Sequence, residues 1–381
     1  MLIAVCAMAV YFLFSAHPVS ALEELRSCNN ESSNDRFFEC VRLVLPEAIR
    51  TDGAPAVMQM FEDNYTLARC HEGGHLVGRE LYAQSPSLER ALSQCSYNCA
   101  SACTHGLVGA ALASVPEVRK SFGDLPHLNA DMLRDVGDDL CKEREMCHAV
   151  GHILYQLFKT LDESLAWCDR LAGGKEPWSC YRGVFMENGF ANSTHVSFDE
   201  ARSPNVRDPN NLIYPCDAVA PRYQPGCYHN IHMNQATTLR ERGIQNYEEW
   251  TNEVVGACEK AGDMQAPCYE GVGSYFALSE YSIAEGSSRC LGLAKSENVT
   301  ACIFGFGYAL SAWGRTDEAL QMCTAFPVSD EKYACYESVA DDLSVRPTHV
   351  LSSMCDGISD PSCLEAVEYI RAGNPVKSVA R

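Results

Sequence analysis

The chain has 381 residues, 46% of them hydrophobic, and a formal net charge of −20. That is enough apolar material to bury a core in two ordinary domains or in one elongated repeat array. The excess of acid, with no long basic run, argues against nucleic acid or an anionic membrane as the main partner and suits a cationic partner or a metal.

Residues 1–21, MLIAVCAMAVYFLFSAHPVSA, form an apolar run that ends in Val19-Ser20-Ala21, small residues where a signal peptidase reads. No Lys or Arg precedes the run, yet the pattern is that of a signal peptide cut after Ala21. A retained anchor is the alternative, although the run is short for a spanning helix. No later stretch is apolar enough to span. The expectation is a secreted protein, extracellular or in the lumen of the secretory pathway, or periplasmic if the source is a bacterium. Removing the leader removes Cys6, so the 21 cysteines become 20, which in an oxidising compartment implies ten disulfides. Asn-x-Ser/Thr sequons at Asn30, Asn64, Asn192 and Asn298 fit a secreted glycoprotein.

Along the mature chain the cysteines fall in pairs: Cys28 with Cys40, Cys141 with Cys147, Cys168 with Cys180, Cys216 with Cys227, Cys258 with Cys268, Cys290 with Cys302, Cys323 with Cys335 and Cys355 with Cys363. Cys70, Cys95, Cys99 and Cys103 read as bridges of open connectivity. A common phrase follows the second cysteine, as in CYRGVFMENG at 180, CYEGVGSYFA at 268 and CIFGFGYAL at 302; CHEGGHLVGREL at 70 and CTHGLVGAAL at 103 are further copies. A different phrase precedes the first cysteine, as in SLERALSQC, LDESLAWC, RTDEALQMC and RPTHVLSSMC. It has Ser, Thr or Asp near its start and apolar residues at three- and four-residue spacing, the pattern of a capped amphipathic helix.

Each unit is therefore two helices: helix A opens at the second cysteine, and helix B ends at the next first cysteine. A disulfide would join B to the following A across a short loop such as DRLAGGKEPWS, residues 169–179. Gly73, Gly106, Gly183, Gly271 and Gly305 recur at the third position after the cysteine. Each costs about 1 kcal/mol of helix propensity relative to alanine, so their recurrence implies that another helix packs closely there. Three of the steps between second cysteines are 33, 34 and 33 residues, within the range of helix-turn-helix repeats. Insertions lengthen the other steps, the largest at 192–215, with another around 115–130. The expected fold is all-α, an α/α solenoid of eight to nine helical hairpins stapled by disulfides. Its regions are a His-rich N-terminal set of repeats (22–190), a long loop insertion (191–226), C-terminal repeats (227–363) and a tail (364–381).

In its A/B alternation, short step and one bridge per repeat, as in CDRLAGGKEPWSCYRGV and CTAFPVSDEKYACYESV, the chain resembles the tetratricopeptide-like superfamily. Within it the likeness is to the disulfide-bridged, cysteine-rich helical repeat proteins, and it covers about Cys28 to Cys363. The resemblance implies a partner-binding α/α solenoid, with a protein or glycan ligand, and implies no reaction.

The histidines depart from the repeat at fixed places. The position after the helix-A cysteine is Tyr181, Tyr228, Tyr269 and Tyr336 in four copies but His71 and His148 in two. One turn further it is Val108, Phe185, Gly273, Gly307 and Ala340, but His75, His152 and His232 elsewhere. With His105 and His229, seven of 11 histidines occupy the first turns of A helices. Pairs one turn apart, His71/His75 and His148/His152, aim two imidazoles at one point, which is how helices chelate Zn, Cu or Fe. The four would be ligands, with His105, His229 and His232 auxiliary and Glu72 a supporting carboxylate. Neighbouring A helices lie about 10 Å apart, so the pairs meet only if the superhelix is tight or the array irregular.

Three other readings compete. The string His71-Glu72-x-x-His75 is that of a zinc peptidase, in which Glu72 would be the catalytic base. Yet Glu72 recurs as Glu270 and Glu337 where no histidines accompany it, and Leu81 stands where a third ligand would follow. The second alternative is a metal-free scaffold in which His replaces Tyr as a packing or proton-sensitive residue. Covalent heme is disfavoured, because no C-x-x-C-H string is present. Trp167, Trp178, Trp250 and Trp313 read as packing residues at helix ends.

Overall fold

A computed structural model describes residues 20–84, 87–114, 141, 144–171, 177–190, 204–244, 246–278, 282–327, 329–346 and 348–377. Residues 1–19 of the expected signal peptide 1–21, the insertion around 115–130, the middle of the 169–179 loop and the start of the 192–215 insertion with Asn192 lie outside them. The described residues form an all-helical protein with no strand, as the periodicity implies.

Eighteen α-helices follow in order: α1 (Ala21–Ser27), α2 (Asn34–Asp52), α3 (Ala54–Asn64), α4 (Leu67–Gln84), α5 (Leu88–Leu92), α6 (Asn98–Ser114), α7 (Arg144–Phe158), α8 (Leu161–Leu171), α9 (Pro177–Phe190), α10 (Gln224–Glu241), α11 (Tyr247–Cys258), α12 (Gln265–Leu278), α13 (Ile283–Leu291), α14 (Ser296–Ala312), α15 (Thr316–Ala325), α16 (Asp330–Ser344), α17 (Thr348–Ser353) and α18 (Pro361–Arg371). The A helices are α4, α6, α7, α9, α10, α12, α14, α16 and α18. The last of these carries regular structure to Arg371, eight residues into the segment expected as a tail. Where the sequence foresees capped B helices the helices are present, but the caps vary. Ser282 makes a full capping box with Glu285 before α13, whereas Ser87 makes no side-chain bond before α5.

All ten disulfides form. The eight adjacent pairs are as the spacing suggests, and Cys70–Cys99 and Cys95–Cys103 complete the set. Most bridges close a short B-to-A turn. Cys70–Cys99 is different, because it ties one A helix, α4, to the start of the next, α6.

Consecutive A helices pack directly on one another, and α14 comes back to touch α6. The array is thus wound tightly enough to meet itself. Other contacts along the same seam are the Trp313 ring 5.3 Å from His71 and the Arg346 guanidinium 6.0 Å from the Tyr97 ring. The closeness of the A helices follows from glycine. A Cβ on Gly106 of α6 would lie 1.9 Å from the His75 carbonyl oxygen of α4, and one on Gly78 of α4 would lie 2.0 Å from the Cys103 oxygen of α6. No other residue permits that approach. Gly151 with Gly183 and Gly273 with Gly305 repeat the reciprocal arrangement at α7/α9 and α12/α14. The apolar core forms two clusters that divide within α6, between Leu107 and Val108.

Of the sequons, Asn30 is exposed and Asn64 half-buried, but Asn298 lies buried within α14. A glycan could not reach Asn298 in the folded chain.

Candidate metal centre

The glycine-set contact of α4 with α6, and the packing of α6 on α7, bring five of the seven predicted histidines into one buried group. His71 and His75 stand one turn apart on α4, with ring centroids 4.6 Å apart. His105 on α6 lies 5.5 Å from the first and 5.6 Å from the second. His105 also meets His148 and His152 of α7, each at 5.3 Å, and those two rings are 4.8 Å apart. Each of the five is at most 8% exposed. The α6 helix that separates the two pairs in sequence therefore links them in space through His105, a residue that the spacing alone places only in an auxiliary role.

The donor atoms are oriented. His71 Nδ1 donates to the Cys99 carbonyl at 2.8 Å, leaving Nε2 as its lone-pair nitrogen. Cys99 and Ser101 hold left-handed φ values of +56° and +57°. That conformation costs of order 1–3 kcal/mol in a non-glycine residue, and here the Cys70–Cys99 bridge fixes it beside the acceptor carbonyl. His152 Nδ1 donates to Glu187 Oε2 at 2.9 Å, and Gln156 holds the other carboxylate oxygen at 2.9 Å. Burial pushes the His148 pKa well below the ordinary imidazole range, with His152, His105 and Arg182 adding to the effect and a backbone bond at Ser179 opposing it. One ligand nitrogen from each of His71, His75 and His105 can be chosen so that all three lie within 4.8 Å of one another. That is a buried group able to hold a metal ion.

His229 and His232 on α10 are placed differently. Arg182 donates to His229 Nε2, and His229 Nδ1 lies 3.1 Å from Glu270 Oε1, so a metal at His229 would have to displace one of them. His232 Nδ1 bonds the His229 carbonyl at 3.2 Å. Its pKa is pushed down to about 3, by burial first and then by the His229 imidazole, with Arg182 adding and the backbone bond opposing. It is a neutral core residue. Both rings line a cavity of about 90 Å³ that His105 and His148 also reach, with Trp313 on its wall. Glu72 is buried in the field of Arg79, whose own pKa burial lowers to about 10, with Arg42 adding and Glu72 opposing.

The register reading missed Glu187 and Arg182. Arg182 is 8% exposed and lies 4.7 Å from the Trp178 ring centroid and 5.3 Å from that of Tyr308. It stands two residues after Cys180, where other copies carry Glu72, His105, His229 and Glu270, so a charged residue at that buried register was the available signal. Trp313 and Trp178 do more than pack helix ends, since the first covers His71 and the second sits 6.0 Å from His229.

Fold and site together define a disulfide-stapled, all-helical protein with a buried group of histidines at the meeting of its early A helices. Compared with protein-family models, curated proteins and solved structures, the chain matches none.

Proposed function

We propose that this chain is an extracellular protein that binds a first-row transition metal, zinc, copper or iron, through His71, His75 and His105. The observation that carries the reading is the convergence of three buried imidazole donors within 4.8 Å. Supporting it, His71 gives its second nitrogen to a backbone carbonyl, the arrangement that fixes tautomer and ring orientation in metal-bound histidines. All 20 cysteines of the described residues are consumed by disulfides, so imidazole nitrogen is the donor set, and it suits these metals. Three protein ligands, of which His105 borders the cavity, leave a position for water or a small ligand, as in zinc sites that activate water. When bound, the metal would supply Lewis acidity there.

Ten disulfides support an oxidising compartment, and among the described residues no helix is long and apolar enough to cross a membrane. The acidic chain would meet a protein or glycan partner, not nucleic acid.

Metal analysis of the purified full chain tests the reading. About one equivalent or more of a transition metal should survive desalting, and the triple variant His71→Gln/His75→Gln/His105→Gln should lose an equivalent. Less than about a tenth of an equivalent, with no thermal shift on adding zinc or copper, sinks it. Peptide cleavage abolished by Glu72→Gln would instead establish the peptidase.

A further inference from the structure

The His148/His152 pair carries an observation of its own. Their Nε2 atoms face each other at 3.1 Å. His152 Nδ1 bonds the Glu187 carboxylate, which can only accept, so that nitrogen bears the proton and Nε2 is a lone pair. His148 has a backbone hydrogen bond at Ser179. A backbone bond that favours the protonated ring is one accepted by a carbonyl, so with Nε2 turned to His152 it falls to Nδ1–H, and in the neutral ring Nε2 is a lone pair as well. Two lone pairs at this distance repel unless an electrophile, a metal ion or a shared proton, lies between them. Flipping either tautomer turns a lone pair against the Ser179 carbonyl or the Glu187 carboxylate, so the frustration only moves.

The geometry points to a second metal site, distinct from the first, in which His148 Nε2 and His152 Nε2 jointly bind a divalent transition metal such as zinc or copper. The separation fits, because two imidazole nitrogens at about 2.05 Å from a tetrahedral ion are about 3.3 Å apart. The surroundings fit as well: Glu187, held in turn by Gln156, orients His152, and a backbone carbonyl orients His148, the carboxylate and carbonyl partners that metal-bound histidines use. His148 and His105 both border the cavity of about 90 Å³, room for several waters to complete the coordination shell. His105 lies within 5.6 Å of both histidine pairs, so the two ions would form an adjacent pair. The inference rests on the imidazole group proposed above as metal-binding, but it uses different ligands.

The test is a stoichiometry. The chelator-stripped full chain is loaded with zinc, desalted and analysed for metal, then loaded with copper(II) and examined by electron paramagnetic resonance. The wild type should retain about two equivalents and show a dipolar-broadened copper signal. His148→Gln/His152→Gln should retain about one equivalent with an isolated copper signal, while the triple variant at His71, His75 and His105 keeps the other. Glu187→Gln should weaken one equivalent by about 10–100-fold and leave the other unchanged. Circular dichroism and a free-thiol count confirm that each variant is folded and cross-linked. One equivalent in the wild type, untouched by His148→Gln/His152→Gln, overturns this site and leaves the first standing. One equivalent lost only in that double variant overturns the first and leaves this one. No metal in any form overturns both.

Discussion

The early and late A helices use the same device to different ends. At α4/α6 and at α12/α14 a reciprocal pair of glycines brings two backbones together, and in each case one glycine faces the carbonyl of the next helix's cysteine, Cys103 or Cys302. What differs is the side chains beside that contact. The early pair presents His71, His75 and His105, and the late pair presents Tyr269 and Phe304, each at most 2% exposed. Close approach alone does not make a site. It makes a close seam, and the residues at the first turn decide what lines it: imidazoles that could hold a metal, or aromatic rings that pack.

The sharpest way to separate the two roles is to block the approach. Gly106→Ala sets a Cβ 1.9 Å from a backbone oxygen, as Gly305→Ala does at the Glu270 oxygen. Overpacking against a rigid neighbour should cost each variant at least about 3 kcal/mol in a denaturant titration with the disulfides intact. Only Gly106→Ala should also lose metal. If Gly305→Ala loses it equally, the seams are not independent.

Giving an early position the residue of a late one is the gentler version. His75→Ala installs what α16 carries as Ala340 at the same register. Affinity for zinc should fall by more than about 100-fold, or about 2.7 kcal/mol, while the circular dichroism spectrum stays unchanged. Retained affinity in a competition assay with a coloured chelator would remove His75 from the ligand set.

Acid should find the histidine half first. His232 has a folded pKa of about 3 against about 6.5 when unfolded, so the unfolded chain takes up the proton first. Its contribution to stability is complete above about pH 6.5 and declines as pH falls toward 3, at about 1.4 kcal/mol per pH unit. His148, shifted in the same direction, adds to the slope. Denaturant midpoints of metal-free protein should therefore drop between pH 7 and 5, and His232→Phe should flatten the drop. An unchanged slope would show that His232 titrates normally.

The smallest effect belongs to the late half. Ser311 donates to the buried Asp342 at 2.6 Å, which Arg346 also contacts at 2.7 Å. Ser311→Ala should cost about 1 kcal/mol with no change in metal content by elemental analysis.

Much of this was legible in the sequence, and for local reasons. Helix type, repeat step and the eight adjacent disulfides depend on residues a few turns apart, as Cys168 and Cys180 or Gly106 after Cys103 show. The A-to-A bridge Cys70–Cys99 was not, because four cysteines within 34 positions admit several pairings and only the packing of α4 on α6 selects one. The role of His105 and the return of α14 to α6 depend on how small rotations between successive helices accumulate, a quantity that no local pattern encodes. Glu187 escaped notice because it acts across a helix interface on His152, 35 residues earlier.

The Trp313 ring beside His71 bears on when the imidazole pocket becomes complete. Emerging from the ribosome from its first residue onward, the chain presents all five clustered imidazoles long before the indole that covers them has been synthesised. Domains fold as units, so until α14 has been made the imidazoles of α4, α6 and α7 would lack the ring that packs beside His71. If the group binds a metal as proposed, the ion would enter most easily in that interval, before α14 arrives beside His71.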